Sequence, residues 1–325
     1  MKKRHILLFM LPLLLCCPQP AESAQEVSTY RFDTFLVVIP SIYAGKGVCS
    51  ATYDIAAAPG AQRARMDIYE VEWGTGDQDA TFEKAKQKLP LATPKSSDGA
   101  QAYDRIEDAK AAFNLPGVIA WSVKNNTLKQ IQAFLRLQNG YVVFEMSGKQ
   151  FSQNDIEKDK AFFIDAVKNI LAQSERPLQP GDSVANTLFL RLDTSRGVVA
   201  TLSMRFENDN GSFSFSSDLP PNPLQVISPP LLPPNIKQAW LVDKPFAVAG
   251  QDGHYHVRSV SRVDLQTKAE TVISTTLRWE RLDASRRKFV IAFGTSDPAA
   301  LKQGYENFLE KEQVLRVLQS VEKLP

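Results

Sequence analysis

The sequence has little cysteine, and the part that follows the N-terminal segment has almost none. Three cysteines occur in 325 residues, and Cys16 and Cys17 lie close to the N-terminus. The remaining one, Cys49, has no partner for an internal disulfide. The fold is therefore expected to be stabilised by packing rather than by cross-links.

The chain also lacks an excess of charge of either sign. It carries 38 Lys and Arg against 36 Asp and Glu. Removal of residues 1–24 takes away Lys2, Lys3, Arg4 and Glu22, which leaves a formally neutral chain. A nucleic-acid footprint needs a basic patch or stripe, and attraction to anionic lipid needs basic clusters. We therefore expect no nucleic-acid partner and no electrostatic adhesion to membranes.

Residues 1–24 have the layout of a secretory signal. Three basic residues precede an apolar stretch over 6–17, which is shorter than the roughly 20 residues that span a bilayer. A small-residue segment follows, with cleavage expected near Ala24, and no second long apolar run occurs. A soluble periplasmic product is favoured over acylation at Cys16 or Cys17, because the usual small residue before the acylated cysteine is missing. An uncleaved membrane anchor is the other alternative.

The first half of the mature chain predicts a sheet with two helices. Met66, Ile68 and Glu70 share one side of an alternating segment, which indicates a strand. Asn139-Gly140 predicts a hairpin, because both residues tolerate a positive φ. A helix over 79–89 is expected to start at Asp79. A longer helix, capped by Asn154 or Asp155, has an apolar stripe formed by Ile156, Phe163, Val167, Ile170 and Leu171.

The second half repeats this order of strands and then a helix. Alternation predicts strands over 188–192 and 271–279, and Asp297 with Pro298 marks the start of a closing helix. The predicted fold is α+β with two domains, 25–178 and 179–325, each a mostly antiparallel sheet with one or two amphipathic helices packed on it. The second domain contains a proline-rich crossover over 218–235.

The mature chain offers little for catalysis. It contains no G-x-S-x-G elbow, no P-loop and no H-E-x-x-H motif. His254 and His256 point to one face of a strand, with Asp252 or Asp264 as a conceivable third metal ligand, but neutral strand histidines are common and zinc needs more ligands. Cys49 has no local feature that lowers a thiol pKa. We therefore expect no catalytic residue, no metal and no cofactor, although an enzyme with a site invisible in the sequence remains an alternative.

Several segments resemble the type VI secretion lipase-immunity family. In the second half these are 188–192, 197–200, the strand–turn–strand over 246–253, Trp279-Glu280, the strand at 289–293 and the closing helix. In the first half they are Arg31-Phe32, the helix around Phe82, and the Gly140 hairpin before a long helix. This resemblance implies a non-enzymatic periplasmic protein of two domains that binds one phospholipase or lipase toxin in a 1:1 complex and silences it.

The partner-binding residues predicted from the sequence are Leu231, Leu232 and Trp240, because exposed apolar groups and tryptophan are typical of interfaces. The proline-rich segment that carries the two leucines is either a surface crossover or a partner-binding arm. An envelope-assembly or apolar-ligand-binding module without a toxin partner is the alternative function.

Overall fold

Strands make up most of the described chain. The computed structural model describes residues 27–43, 45, 47–56, 63–74, 76–87, 103–147, 155–209, 211–219, 233–283, 286–297, 301 and 309–323. The predicted signal segment lies outside the described residues, as do Leu231, Leu232 and most of the proline-rich crossover. Among the described residues, none of the helices combines the length and the apolar character that crossing a bilayer requires.

Twelve antiparallel strands form one sheet. Their order across the sheet is β13 (Ile236–Pro245), β14 (His254–Val263), β15 (Glu270–Leu282), β16 (Lys288–Thr295), β12 (Gly211–Asp218), β11 (Gly197–Asn208), β3 (Gly47–Ala56), β4 (Arg63–Glu72), β8 (Gly140–Ser147), β7 (Thr127–Arg136), β6 (Gly117–Lys124) and β5 (Arg105–Asp108). Strands β1 (Val27–Phe32), β2 (Phe35–Pro40) and β17 (Glu322–Lys323) form a smaller sheet, and β9 (Val184–Asn186) pairs with β10 (Arg191–Asp193).

The described part of the chain contains few helices. They are α1 (Gln78–Gln87), the short α2 (Lys110–Phe113), α3 (Ile156–Glu175) and α4 (Leu309–Ser320). The prediction of mostly antiparallel sheet with few helices is confirmed. The division into two domains is not confirmed, because β3 of the first half and β11 of the second are neighbours in the twelve-stranded sheet, with Cys49 opposite Met204.

The two faces of the twelve-stranded sheet differ in character. One, here called the apolar face, carries the main core, and α3 buries Phe163, Val167 and Ile170 in the same core. On the opposite face, here called the polar face, α1 packs Phe82 against Trp73 and Phe134, and the Phe82 and Phe134 rings stack 4.9 Å apart. One row of the apolar face, running across six strands, is formed by Cys49, Met204, Phe215, Ile291, Trp279 and Tyr255.

The starts of two helices test the capping predictions. Of the two predicted caps for α3, Asp155 is the one, and it accepts a hydrogen bond from the Lys158 N–H at 3.3 Å. For α1 the prediction of Asp79 is wrong, because Asp77 accepts from the Asp79 and Ala80 N–H groups at 2.9 and 3.1 Å. A capping side chain must precede the N–H groups that it satisfies, and Asp77 does so.

The hairpin around Asn139 and Gly140 exists, but for a different reason from the predicted one. The residues with positive φ lie in the preceding hairpin, where Asn125 (53°) and Asn126 (57°) connect β6 to β7. Gly140 is required for space: a Cβ there would lie 2.1 Å from the Val71 carbonyl oxygen and 2.5 Å from the Phe189 ring.

We therefore expect Gly140→Ala to lower the free energy of unfolding by about 1–3 kcal/mol, the usual range for overpacking. Gly76→Ala is the matched control, because a Cβ at Gly76 meets nothing within 4 Å. Urea unfolding followed by tryptophan fluorescence measures both. Equal stability of the two variants would show that β8 and the Phe189 ring move apart at no cost.

Candidate partner-binding surface

Strand β13 is one edge of the twelve-stranded sheet. It pairs with β14 on one side, and its residues are mostly exposed. The outer backbone groups of an edge strand are open to pairing with another chain, and natural edges are commonly protected by bulges, lysines and proline. Lys237, Lys244 and Pro245 are such residues in β13.

Trp240 and Leu241 form an exposed apolar pair in the middle of this edge. The β13–β14 register shifts between Trp240 and Val242, which is a bulge at Leu241. A bulge bends the strand and re-aims side chains. Trp240 is 61% exposed and Leu241 is 46% exposed. The sequence predicted Trp240 as a partner contact, whereas Leu241 was missed because its exposure depends on the bulge.

A network of ionisable side chains lies next to this apolar pair. The Trp240 ring contacts the His256 ring with centroids 5.3 Å apart, and His256 Nδ1 lies 3.2 Å from Asp243 Oδ1. Glu280 pairs with Arg278 at 2.6 Å and with Lys288 at 3.1 Å. We call Trp240, Leu241, Asp243, His254, His256 and Glu280 the β13 surface.

The charge state of Glu280 follows from its neighbours. Partial burial opposes its ionisation, but the hydrogen bond from Lys288 and the positive charge of Arg278 outweigh burial and hold the pKa of Glu280 below its ordinary value. Glu280 is therefore anionic at neutral pH. The rim of the surface presents fixed charges of both signs beside the apolar pair.

The two histidines lie on one face, as the alternation predicted. Their rings stack 5.9 Å apart with planes 14° from parallel, and His254 Nδ1 lies 3.4 Å from Asp243 Oδ1. Asp264 accepts hydrogen bonds from the Gln266 and Thr267 N–H groups, so it shapes the β14–β15 turn. Within the described part of the chain, no group of three or more His, Cys, Asp and Glu side chains has the geometry to hold a metal ion.

Cys49 is buried beside the carboxyl group of Glu70. Burial and the negative charge of Glu70 both raise the pKa of the Cys49 thiol, the opposite of what a nucleophile needs. The Glu70 carboxyl is fully buried and accepts hydrogen bonds from the Thr187 hydroxyl (2.9 Å), the Leu188 N–H (2.9 Å) and the Phe189 N–H (3.2 Å). Burial raises the pKa of Glu70 to about 7, although the hydrogen bonds from these donors lower it.

This Glu70 site corrects one strand prediction. The sequence predicted a strand over 188–192, but residues 187–190 form the loop between β9 and β10 that wraps around the Glu70 carboxyl. The loop joins β4 of the first half to the second half by hydrogen bonds to this buried carboxyl group. The Glu70 carboxyl therefore has a structural role.

A groove of about 860 Å³ lies between α3 and the β10–β11 turn. Its size is within the range of ligand pockets, about 300–1,000 Å³. Arg176, at one end of the groove, is held by Asp182 through two hydrogen bonds of 2.8 Å. We call it the α3 groove; its apolar lining consists of Tyr53, Ile55, Phe162, Ala166, Ile170 and Ala172.

Comparisons with known proteins add little. No family model matches the chain, and no curated protein matches it. A weak structural similarity exists to a solved chain described as the complex structure of Pseudomonas aeruginosa MucA/MucB. It has 9% identity, covers 88% of this chain and 96% of that chain, and has a TM-score of 0.11. A similarity of this size does not establish a shared fold.

Proposed function

We propose that this protein acts outside the cytoplasm as an immunity protein that binds a lipase or phospholipase toxin through the β13 surface. The observation that carries the proposal is the exposed Trp240-Leu241 pair at the centre of an edge strand. Tryptophan is the residue type most enriched among those that dominate binding energy. Its position on an open strand edge also leaves main-chain groups available for a partner.

The composition of the surface supports a protein partner. Specific interfaces combine an apolar centre with a polar rim. The apolar pair here is bordered by His256, Asp243 and Glu280, and the ion pairs of Glu280 fix the charges of the rim. Such a rim favours one orientation of a complementary partner and disfavours others.

The identity of the partner rests on the family resemblance in the sequence. A lipase must admit acyl chains, so its cleft is lined by apolar groups, as ligand pockets usually are. An apolar pair on an exposed strand edge complements such a cleft or the lid above it. A stable inhibitor need only bury about 1,200–2,000 Å² in total to occlude it.

Hydrogen exchange tests where the partner binds. On addition of a lipase or phospholipase toxin that the protein binds, we expect the amides of β13 to become protected, because their outer groups gain partners. Amides of β5, the opposite edge of the same sheet, serve as the internal control and should exchange unchanged. Protection at β5 and none at β13 would contradict the proposed surface.

The α3 groove favours a second candidate, an apolar-ligand-binding module. Its volume and apolar lining suit an acyl chain. Asn169 is exposed and lines the groove, so Asn169→Trp should fill it and abolish binding of a fluorescent fatty acid. Lys168→Trp, at the exposed neighbouring position outside the groove, is the control. No fatty-acid binding by the unmodified protein would remove this candidate.

A further inference from the structure

Strand β14 carries two arginines that have no charged partner among the described residues. Arg258 is half-buried and Arg262 is exposed, and both alternate onto the polar face. Neither side chain forms an ion pair or a hydrogen bond within the part of the chain that the structure describes. A guanidinium keeps its charge and offers five N–H donors, so each of the two is free to take an acceptor from another molecule. We call Arg258 and Arg262 the arginine pair.

The arginine pair borders the β13 surface. Arg258 is the direct register partner of Trp240, and Arg262 is the direct partner of Ile236 on the same edge strand. Direct partners on neighbouring strands point to the same side, so the arginine pair shares the side of the sheet on which Trp240 lies. Neighbouring strands are only about 4.8 Å apart, so a partner that covers Trp240 extends readily over Arg258.

The nearest carboxylates on this face are engaged by other groups. Glu280 pairs with Arg278 and Lys288, and Asp243 lies against the two histidine rings. Asp264, in the turn after β14, accepts hydrogen bonds from N–H groups of that turn. None of these three carboxylates forms an ion pair with the arginine pair, so its positive charge is not neutralised by direct contact with the neighbouring strands.

Charge is unevenly distributed along the polar face of β13 to β15. Asp243 and Glu280 both lie at the end of β14 where His254 is placed. The cross-strand neighbours of the arginine pair are all uncharged: Trp240, Ile236, Thr276 and Thr271. A surface of this kind attracts a partner that carries negative charge, and complementary charge also selects the orientation of that partner.

We propose that the arginine pair makes the β13 surface a docking surface for an acidic strand of the partner. Arg258 and Arg262 are four residues apart, which is about 13 Å along a strand. Two carboxylates four positions apart on an extended segment have the same spacing and point to the same side, so each meets one guanidinium. Arginine binds a carboxylate through two parallel hydrogen bonds. Between the two arginines lies Val260, which is half-buried and suits an apolar residue midway along the acidic strand.

This inference rests on the proposed function for the identity of the partner, which is the toxin. A peptide probe tests the chemistry of the surface without the toxin. The probe is a seven-residue peptide with glutamate at its second and sixth positions, leucine at its centre and threonine elsewhere; its analogue has glutamine in place of both glutamates. In an NMR titration at low salt, we expect the glutamate peptide to shift the amide signals of β13 and β14 and the glutamine peptide to leave them unchanged.

The variants Arg258→Gln and Arg262→Gln locate the binding. Each should weaken binding of the glutamate peptide at least about tenfold, since hydrogen bonds between charged groups are lost. Arg105→Gln is the matched control, because it removes the same charge from an exposed site on β5, the opposite edge strand. It should leave peptide binding unchanged, and circular dichroism checks that all three variants are folded. Equal binding of the two peptides, equal weakening by the three variants, or no peptide binding would overturn the proposal.

Toxin affinity tests the same surface in the complex. Arg258→Gln should weaken toxin binding at least about tenfold and reduce its dependence on salt, because a charged contact is screened by ions. Unchanged toxin affinity in Arg258→Gln and Arg262→Gln would overturn the acidic-strand proposal, while loss of affinity in Trp240→Ala would keep the β13 proposal. If no toxin binds but the glutamate peptide does so through the arginine pair, the proposed function fails and the docking surface stands.

A vesicle arm separates a protein partner from a lipid surface. Phosphatidylglycerol vesicles carry anionic headgroups that arginine also binds. We expect no sedimentation of the protein with these vesicles. Sedimentation that Arg258→Gln and Arg262→Gln abolish, together with no binding of the glutamate peptide, would assign the arginine pair to a membrane surface and overturn the proposal.

Discussion

Replacement of Glu70 by alanine is expected to lower the free energy of unfolding by about 4 kcal/mol near pH 5, because it leaves buried donors without an acceptor. The Leu188 and Phe189 N–H groups bond to this carboxyl in the folded chain. The Thr187 hydroxyl retains its hydrogen bond to the Leu190 carbonyl oxygen at 3.2 Å, so only the Leu188 and Phe189 N–H groups are left without an acceptor. Urea unfolding of the two proteins measures the difference.

The stability cost of Glu70→Ala should depend on pH. The pKa of Glu70 rises from 4.5 to about 7 on folding, so between these values the folded protein holds a proton that the unfolded chain releases. The free energy of unfolding therefore falls as pH rises through this window, by about 3 kcal/mol from this group, and the Glu70 contribution is constant above it. Glu70→Ala lacks this contribution, so its cost should shrink to about 1 kcal/mol near pH 8.

Two controls isolate the carboxyl group. Glu70→Gln retains one acceptor oxygen but does not ionise, so its stability should lack the fall that Glu70 causes in the wild-type protein. Glu207→Ala removes an exposed carboxylate from the same sheet and should change stability by less than about 0.5 kcal/mol. A cost of Glu70→Ala that is the same at both pH values would contradict the raised pKa.

Replacement of Trp240 by alanine should weaken toxin binding at least about thirtyfold, the effect of about 2 kcal/mol that marks dominant interface residues. The side chain is 61% exposed in the free protein, so its truncation should change the free energy of unfolding by less than about 0.5 kcal/mol. A loss of toxin affinity without a loss in the free energy of unfolding would show that Trp240 acts in binding rather than in packing. Biolayer interferometry measures the toxin affinity, and urea unfolding measures the free energy of unfolding.

Ile106→Ala is the matched control for Trp240. Ile106 is 58% exposed and lies on β5, the opposite edge strand of the same sheet. It should leave the affinity unchanged. Equal losses in the two variants would indicate nonspecific adhesion of exposed apolar groups, and no loss in Trp240→Ala would place the interface elsewhere.

Alternation along the chain predicted strands and which of their residues share a side. The strand predicted over 271–279 is part of β15, and its alternate residues Thr275, Leu277 and Trp279 share one buried side. Met66, Ile68 and Glu70 do share one side of β4, and that side is the buried one. The alternation could not explain a carboxyl among apolar residues, because the donors that satisfy it come from a loop more than a hundred residues later.

The pairing of the two halves could not be predicted, since neither strand carries a local signal for its partner. β3 and β11 are separated along the chain by β4 to β10. A pairing between segments so far apart has no local sequence pattern that would predict it. The pairing of Asp67 with Glu145 was missed for the same reason. Asp67 and Glu145 are adjacent only through the β4–β8 register.

The candidate site was predicted in part. Trp240 is exposed as expected, but its neighbours in the β13 surface are assembled by a bulge and by cross-strand pairs. Bulges lack a reliable sequence pattern when the extra residue is an ordinary one such as Leu241. Leu231 and Leu232 remain predictions outside the described residues.

The most direct test of the proposed function is a titration of candidate lipase and phospholipase toxins with the chain from Gln25 onward, with complex mass and phospholipase activity recorded on the same samples. The immunity proposal predicts a 1:1 complex and loss of activity that reaches completion at one equivalent. Undiminished activity with no complex at several equivalents would contradict it.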